Sequence, residues 1–575
     1  MLDKYAVARA LREIGALLEV KGENPFKVRA YEAGARALEE SEEEVAALLA
    51  TGRLRELRGI GDALAAKISE LHLTGSTALL ARLRAEIPRG VLELLRVPEL
   101  GPKKVAALHA ALGISSLAEL EAACLAGEVR AVKGFGARTE QRILESLARP
   151  ARGEPRMLLS DALELGERLA RHLRGGPAIR VDVAGPARRM EETVAEVALV
   201  ASAGSHLDEV ANRLAASPDV AEVLARDGSR TIVRLLTSGA QAHLRVVAPE
   251  DHASALHELT GSRAHRLALG DVARERGWRL SEDGLARLEG GDRLRVTSEE
   301  ELYAELGLPC IPPELREGAG EIAAARAGAL PGDLVTVGDV RGMVHCHTRW
   351  SDGRATIEEM ARAAEAAGME YLTITDHSPS ASYAGGLTAD RLRAQWDEIA
   401  RVQEGVRIRI LRGTESDITE EGSLDFPDPV LEQLDVVIAS IHSRFKMDEA
   451  EMTRRLVRAM RLPVFKIWGH ARGRLLLERD PFPCRMEEVL DALAASRGAV
   501  EVNGDPHRLE LEPAFLRMAT ERGIPVVLSV DAHATAGLQY LGYAVGTARR
   551  GWVRRGQVLN ALPVDAFRAA VRPRA

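Results

Sequence analysis

The chain has 575 residues, 46% of them hydrophobic and 28% charged, with a net charge of −8. These values describe a multidomain globular protein and exclude a disordered chain or a bulk polycation. No apolar run of about 18 residues occurs, so no membrane span is expected. The acid-containing start MLDKYAVARALREIG does not read as a secretion signal. Cys124, Cys310, Cys346 and Cys484 form no CxxC pair, which argues against a disulfide framework or thiolate zinc site and predicts a reducing, cytoplasmic setting.

Residues 1–150 are expected to be helical, because apolar residues recur at helical spacing in AVARALREIGALLEV and EEEVAALLATGRLREL. Three glycine turns punctuate this region. Leu57-Arg58-Gly59-Ile60-Gly61 runs into a helix with Lys67. Val97-Pro98-Glu99-Leu100-Gly101 runs into Lys103 and Lys104. Val132-Lys133-Gly134-Phe135-Gly136 precedes Arg138. A Gly-x-Gly turn opening a helix exposes backbone N–H groups and lets a phosphate come close. One such turn is common in loops; three with adjoining cations predict a sequence-independent grip on a nucleic-acid backbone. Lys27 and Arg29, beside Phe26 and Tyr31, add a cationic and aromatic stretch. The region holds 22 Lys+Arg against 21 Asp+Glu, so binding depends on where the donors sit.

A Pro/Gly/Arg stretch at 150–156 reads as a linker. Residues 157–320 mix helices with strands expected at 179–184, 197–201 and 244–247. A second linker is expected near 327–341. Over 340–575 a helix at 356–368 alternates with strands at 370–375, 407–413, 436–440, 464–468, 499–503 and 525–530. That alternation predicts parallel strands in a barrel or open sheet, with functional side chains at the strands' C-terminal ends.

Metal-ligand residues gather at those ends. They are His345 and His347 with Asp352, then His377 after Asp376, Glu415 with Asp417, His442, His470, and Asp531 with His533. Period two puts His345 and His347 on one side of a strand, and imidazoles mixed with carboxylates suit zinc or manganese. One histidine at a strand end is usually only a polar residue. Six histidines and three carboxylates at successive ends point to a metal site.

HCHTRWSDG, TDH, the Glu415 motif, SIH, GH and DAH, in that order, resemble the PHP (polymerase and histidinol phosphatase) superfamily. The resemblance implies a distorted β/α barrel holding three divalent metals, manganese or zinc with iron as a further choice. It assigns ligand roles to His345, His347, Asp352, His377, Glu415, His442, His470, Asp531 and His533. Such a cluster hydrolyses phosphoesters. Arg474 and Arg508 follow two of the motifs and are candidates for a bidentate phosphate clamp.

The front end resembles helix-hairpin-helix motifs and the small N-terminal domain of family X DNA polymerases, although Glu99 stands where a glycine is usual. Lys67 matches the Schiff-base lysine of lyase-competent members. The middle resembles that family's palm and thumb in Ala184-Gly185 with Arg188-Arg189, in Leu244-Arg245-Val246-Val247 and in Thr260-Gly261-Ser262. The whole order of parts is similar to bacterial family X polymerases with a C-terminal PHP domain. The implied architecture is an all-α helix-hairpin-helix region over 1–150, an α+β nucleotidyltransferase-like palm and thumb over 157–320, and the barrel over 340–575.

The palm departs from its family at the catalytic positions. The Gly-Asp-x-Asp motif reads Ala195-Glu196-Val197-Ala198, and the third aspartate reads His243. Magnesium needs hard oxygen ligands in octahedral geometry. Ala198 offers none and His243 offers nitrogen, so magnesium is not expected there. The leading expectation is a monomeric, cytoplasmic, nucleoid-associated DNA-repair nuclease acting on gapped, nicked or 3′-ended DNA. The alternatives are a gap-filling polymerase with an editing PHP domain, a non-catalytic DNA end-binding scaffold, and a small-molecule phosphatase.

Overall fold

The computed structural model describes residues 4–573 except 40, 42–44, 58, 88–90, 92, 93, 95, 96, 98, 99, 149–154, 237, 238 and 282. Arg58, Pro98, Glu99, the side chain of Arg138 and most of the 150–156 stretch lie outside the described residues. The chain divides into two compact units. One is Met1–Pro155 with Ala216–Ala221 and Leu235–Gly239; the other is Arg156–Ala215, Glu222–Arg234 and Ala240–Ala575.

The first unit is helical. Helix Lys4–Val20 buries Val7, Leu11, Ile14 and Leu18 against helix Pro25–Glu39, the i, i+4, i+7 stripe that the sequence periodicity demands. The helical pattern over 42–57 is broken. Helix Val45–Ala50 ends before Gly52, whose φ of 71° no other residue adopts cheaply, and a short 3-10 turn, Arg53–Glu56, follows. Each glycine turn opens a helix: Asp62–Thr74 after Gly61, Pro102–Leu112 after Gly101 and Ala137–Ala148 after Gly136.

The second unit begins with a short pair, β1 (Met157–Leu158) against β3 (Thr193–Val194). The palm sheet contains β2 (Arg180–Ala184), β4 (Glu196–Ser202), β5 (Val220–Asp227), β6 (Arg230–Leu235) and β7 (Gln241–Val247), in the order β2-β4-β7-β6-β5. The thumb carries β8 (Trp278–Ser281), β9 (Gly284–Arg287) and β10 (Arg293–Leu294), packed around Leu269, Val272, Leu302 and Tyr303.

Seven parallel strands follow in sequence order: β11 (Gly342–Cys346), β12 (Tyr371–Ile374), β13 (Arg409–Asp417), β14 (Val436–Ser440), β15 (Lys466–Trp468), β16 (Gly498–Asn503) and β17 (Val526–Ser529). The first and last nearly close the barrel. His347 N donates to Ala532 O at 2.8 Å and Ala532 N to His345 O at 3.1 Å, joining the end of β11 to the residues just past β17. Six of the seven strands are buried along their whole length, as helix-covered parallel strands must be, while β13 exposes Arg409 at its start and carries polar residues toward its end. The expected linker at 327–341 is corrected: it is fastened to the barrel. Val335 N donates to Val553 O, Arg341 N donates to Asn560 O, and Thr336 and Asp339 form a capping box. Its Pro and Gly residues shape turns instead of loosening the chain.

Candidate metal centre

Parallel strands aim every C-terminal end at one face of the barrel. His345 and His347 flank the end of β11, Glu415 and Asp417 lie inside β13, and His377, His442, His470, Asp531 and His533 come two to four residues past their strands. Strand β13 runs four residues beyond the expected 407–413, so Glu415 is a strand residue projecting into the centre. Gly353 lies so close to the His347–Thr348 backbone that an added Cβ would meet it at 2.5 Å. The Asp352-Gly353 turn can therefore reach the cluster only with glycine in that place.

The nine expected ligands form one continuous cluster. Four overlapping sets place their donor atoms within 4.8 Å of one another: His347, Asp352, His377 and His533; His345, His470 and Asp531; His345, His347 and Glu415; and His377, Glu415 and His442. His345, His470 and Asp531 hold left-handed φ values of 67°, 21° and 49°. Such conformations cost about 1–3 kcal/mol each and persist where the surroundings impose them.

A second layer of acids aims the rings. His345 Nδ1 donates to Glu501 Oε1 at 2.5 Å, leaving Nε2 to face Glu415 at 3.3 Å and Asp531 at 3.5 Å. His533 Nδ1 donates to Asp531 O at 2.9 Å, and His442 Nδ1 lies 3.2 Å from Asp417 Oδ1. Each arrangement commits one ring nitrogen and points the other inward. Glu501 went unrecognised in the sequence. It is fully buried on β16, accepts from His470 N, and takes the Ser529 hydroxyl at 2.7 Å. Its only signal was a carboxylate inside the apolar strand GAVEVN. Asp376, within TDH, accepts from Thr348 N, Thr348 Oγ1 and Gln395 Nε2 and so organises the loop after β11.

The donor set fits divalent cations. His345 Nε2, both ring nitrogens of His347, and Glu415 Oε2 are buried without a hydrogen-bond partner among the described residues. A buried polar atom left so costs free energy unless something else engages it. Burial alone would raise the Glu415 carboxyl, but His442, His345, His377 and His470 outweigh it and hold it well below the usual carboxylate range. Burial works against a proton on His377, and Glu415 and Asp352 overcome it, lifting the ring to about 10. The negative field that draws a proton onto this ring would equally hold a metal cation.

The two candidate clamp arginines part company. Arg508 lies 3.3 Å from Asp531 through Nε, and its Nη1 is buried without a hydrogen-bond partner among the described residues. Arg474 is corrected. Its Nε donates to Arg508 O at 2.8 Å, Nη2 donates to Leu509 O and faces Glu192 at 3.3 Å, and Nη1 faces Glu512 at 3.6 Å. With its donors committed, it braces the backbone of Arg508 and ties the barrel to the palm.

In the palm, Ala198 pairs with His243 across β4 and β7 and is buried among Ala184, Val200 and Leu256. Glu196 Oε2 lies 3.1 Å from His243 Nδ1, whose Nε2 is 2.9 Å from Gln241 Oε1. In the front end, Gly59 and Gly134 have φ of 98° and 94°, while among the described residues no atom comes within 4 Å of where a Cβ would stand on Gly61, Gly101, Gly134 or Gly136. Lys103 is exposed, 3.7 Å from Glu19, and Lys104 lies over the Phe135 ring at 5.7 Å, joining two of the turns. Lys27 pairs with Glu23 at 3.3 Å, and Arg29 stacks on exposed Phe26. Lys67 is half-buried on helix Asp62–Thr74.

A barrel rimmed by imidazoles and carboxylates, preceded by palm, thumb and glycine-turn helices, defines a phosphoester-processing protein of nucleic acids. Family models match as a helix-hairpin-helix domain over residues 3–77, a SAM-like helix-hairpin-helix tandem over 91–149, a DNA polymerase beta thumb over 255–317 and a PHP domain over 344–504. The DNA polymerase/3′-5′ exonuclease PolX of Bacillus subtilis is 35% identical over 98% of this chain and 99% of its own length. Probable phosphatases of Thermoanaerobacter sp. and Caldanaerobacter subterraneus are 31% and 32% identical over 38% and 33% of this chain and 88% and 74% of theirs. The chain belongs to the family X DNA polymerases that carry a C-terminal PHP domain.

Proposed function

We propose that this chain is a metal-dependent 3′–5′ exonuclease of DNA repair, with 3′-phosphatase and abasic-site cleavage as allied activities of the same centre. The observation that carries the reading is the convergence of nine donor residues, several with unsatisfied buried atoms, beside the uncommitted Nη1 of Arg508. Bound there, three manganese or zinc ions, or iron, would neutralise the phosphate, activate a water and stabilise the leaving oxygen. His345, His347, Asp352, His377, Glu415, His442, His470, Asp531 and His533 would hold them. Glu501 and Asp417 keep the His345 and His442 rings aimed, and Arg508 donates Nη1 to a non-bridging phosphate oxygen.

The palm, in this reading, positions DNA without joining nucleotides. Glu196 and His243 engage each other, and Ala198 supplies packing where a magnesium ligand is needed. Gly59, Gly61, Gly101, Gly134 and Gly136, with Lys27, Arg29, Lys103 and Lys104, grip the backbone of gapped or nicked DNA, and Lys67 stays a candidate lyase amine. The functional divisions are 1–150, 157–320 and 340–575, in a monomer of the cytoplasm and nucleoid. Among the described residues no helix is long and apolar enough to cross a membrane. A second reading, a gap-filling polymerase with an editing barrel, is favoured by the full-length similarity to the DNA polymerase/3′-5′ exonuclease of Bacillus subtilis.

The test strips the full chain of metal, returns Mn²⁺ or Zn²⁺, and follows a 5′-labelled single-stranded oligonucleotide. Stepwise shortening that depends on the added metal is expected. Binding without shortening under either metal would overturn the nuclease reading.

A further inference from the structure

Immediately after His377 the chain makes a turn that is held on several sides. Ser380 N and Oγ both bind the Asp425 carboxylate at 2.7 Å. Arg391 donates to Gly385 O at 2.7 Å and to Trp350 O at 2.6 Å, and Leu387 N donates to His377 O at 2.7 Å. Ala381 and Ala384 are buried at 0% and 4% exposure, yet Tyr383 between them is 71% exposed. Its ring centroid stands 6.4 Å from the His377 ring and 6.5 Å from the His442 ring. Tyr31, Tyr303 and Tyr371, by contrast, are buried in cores.

A single exposed apolar side chain is ordinary on a protein surface. What sets Tyr383 apart is that its neighbours are anchored while its ring is held out beside the donor cluster. A phosphodiester brought to that cluster carries a sugar and a flat base with it. Aromatic rings beside such phosphates stack bases, with little regard to sequence because every base has a π-face. We infer that Tyr383 forms a nucleobase-binding subsite, stacking on the base of the 3′-terminal nucleotide while its phosphate occupies the metal centre. The inference rests on the nuclease reading and specifies its substrate. A terminal residue that can leave the duplex and lay its base on Tyr383 is removed in preference to one that lacks a base.

The test uses the full chain with Mn²⁺ and two 5′-labelled single strands that differ only in the last residue, thymidine or a base-less tetrahydrofuran. Initial rates of removing that residue are compared for wild type, Tyr383→Phe and Tyr383→Ala. For the thymidine end, Tyr383→Ala is expected to raise KM by roughly ten- to a hundred-fold with kcat changed by less than about two-fold, the signature of lost uniform binding. The tetrahydrofuran end should be indifferent to the substitution, and Tyr383→Phe should match wild type. Equal effects of Tyr383→Ala on both ends, or no effect on either, would overturn the subsite. If wild type removes neither end, the nuclease reading fails and takes the subsite with it, an outcome distinct from the other two.

Discussion

In the barrel, donor atoms of His345, His347 and Glu415 are buried with no internal hydrogen bond among the described residues. In the palm, Glu196 and His243 are about a third exposed and spend their polar atoms on each other and on Gln241. The difference teaches how to read a cluster of ligand-type residues. Donors that satisfy one another need nothing further, whereas buried donors left over require an outside partner to repay their desolvation. Backing differs too: the barrel's rings are aimed by Glu501 and Asp417, while apolar packing fills the position of Ala198.

The comparison breaks most sharply at Glu415, which touches five imidazoles. Glu415→Ala should cut phosphodiester hydrolysis roughly 10³-fold or more, several kcal/mol of transition-state stabilisation. Bound manganese, counted by elemental analysis, should fall with it, and activity kept within ten-fold would place the chemistry elsewhere. Glu501→Gln retains the shape but loses the charge behind His345. A loss of about 10–100-fold in metal affinity or activity is expected, recoverable in part by raising the metal concentration.

Lys466 sharpens the contrast from within the barrel, as a buried charge with no opposite charge beside it among the described residues. Burial lowers its ammonium to about 8, and Nζ donates to Leu462 O at 2.5 Å. Its folded pKa lies below the unfolded one, so the folded state is disfavoured most when pH is below about 8, and the penalty fades as pH rises toward about 10.5. Lys466→Met should therefore stabilise the C-terminal unit by roughly 2 kcal/mol at pH 7, with the gain shrinking by pH 10, as read from urea midpoints. A gain independent of pH would mean that packing, not charge, is responsible. The smallest effect is expected in the palm. Glu196→Ala with His243→Ala should alter stability by less than about 1 kcal/mol and leave oligonucleotide shortening unchanged; a marked loss of shortening would give that pair a part in the nuclease.

Much of the cluster was legible because ligand-type residues at strand ends obey two periodicities at once, the alternation within a strand and the recurrence of β/α units. That is why His345, His347, His377, His442 and His470 could be placed without coordinates. Glu501 was not legible, since a lone acid in GAVEVN has no local pattern and acquires meaning only when β16 brings it to His345 in the nearly closed sheet. Arg474 misled for a similar reason: nearness to Gly469-His470 in sequence said nothing of the carbonyls and of Glu192 that capture its guanidinium in three dimensions. The 327–341 stretch looked like a linker because Pro and Gly mark both loose connections and tight turns, and only its hydrogen bonds to Val553 and Asn560 tell them apart. In the front end the glycine turns were readable because φ near 98° at Gly59 and 94° at Gly134 is a backbone demand that sequence records directly.

The most direct measurement incubates a labelled primer–template carrying a short gap with Mn²⁺ and all four dNTPs, for wild type beside a His345→Ala/His347→Ala variant. Wild type is expected to shorten the primer and the variant to leave it unchanged. Lengthening of the primer by the variant would contradict that, showing a palm that still joins nucleotides despite Glu196, Ala198 and His243.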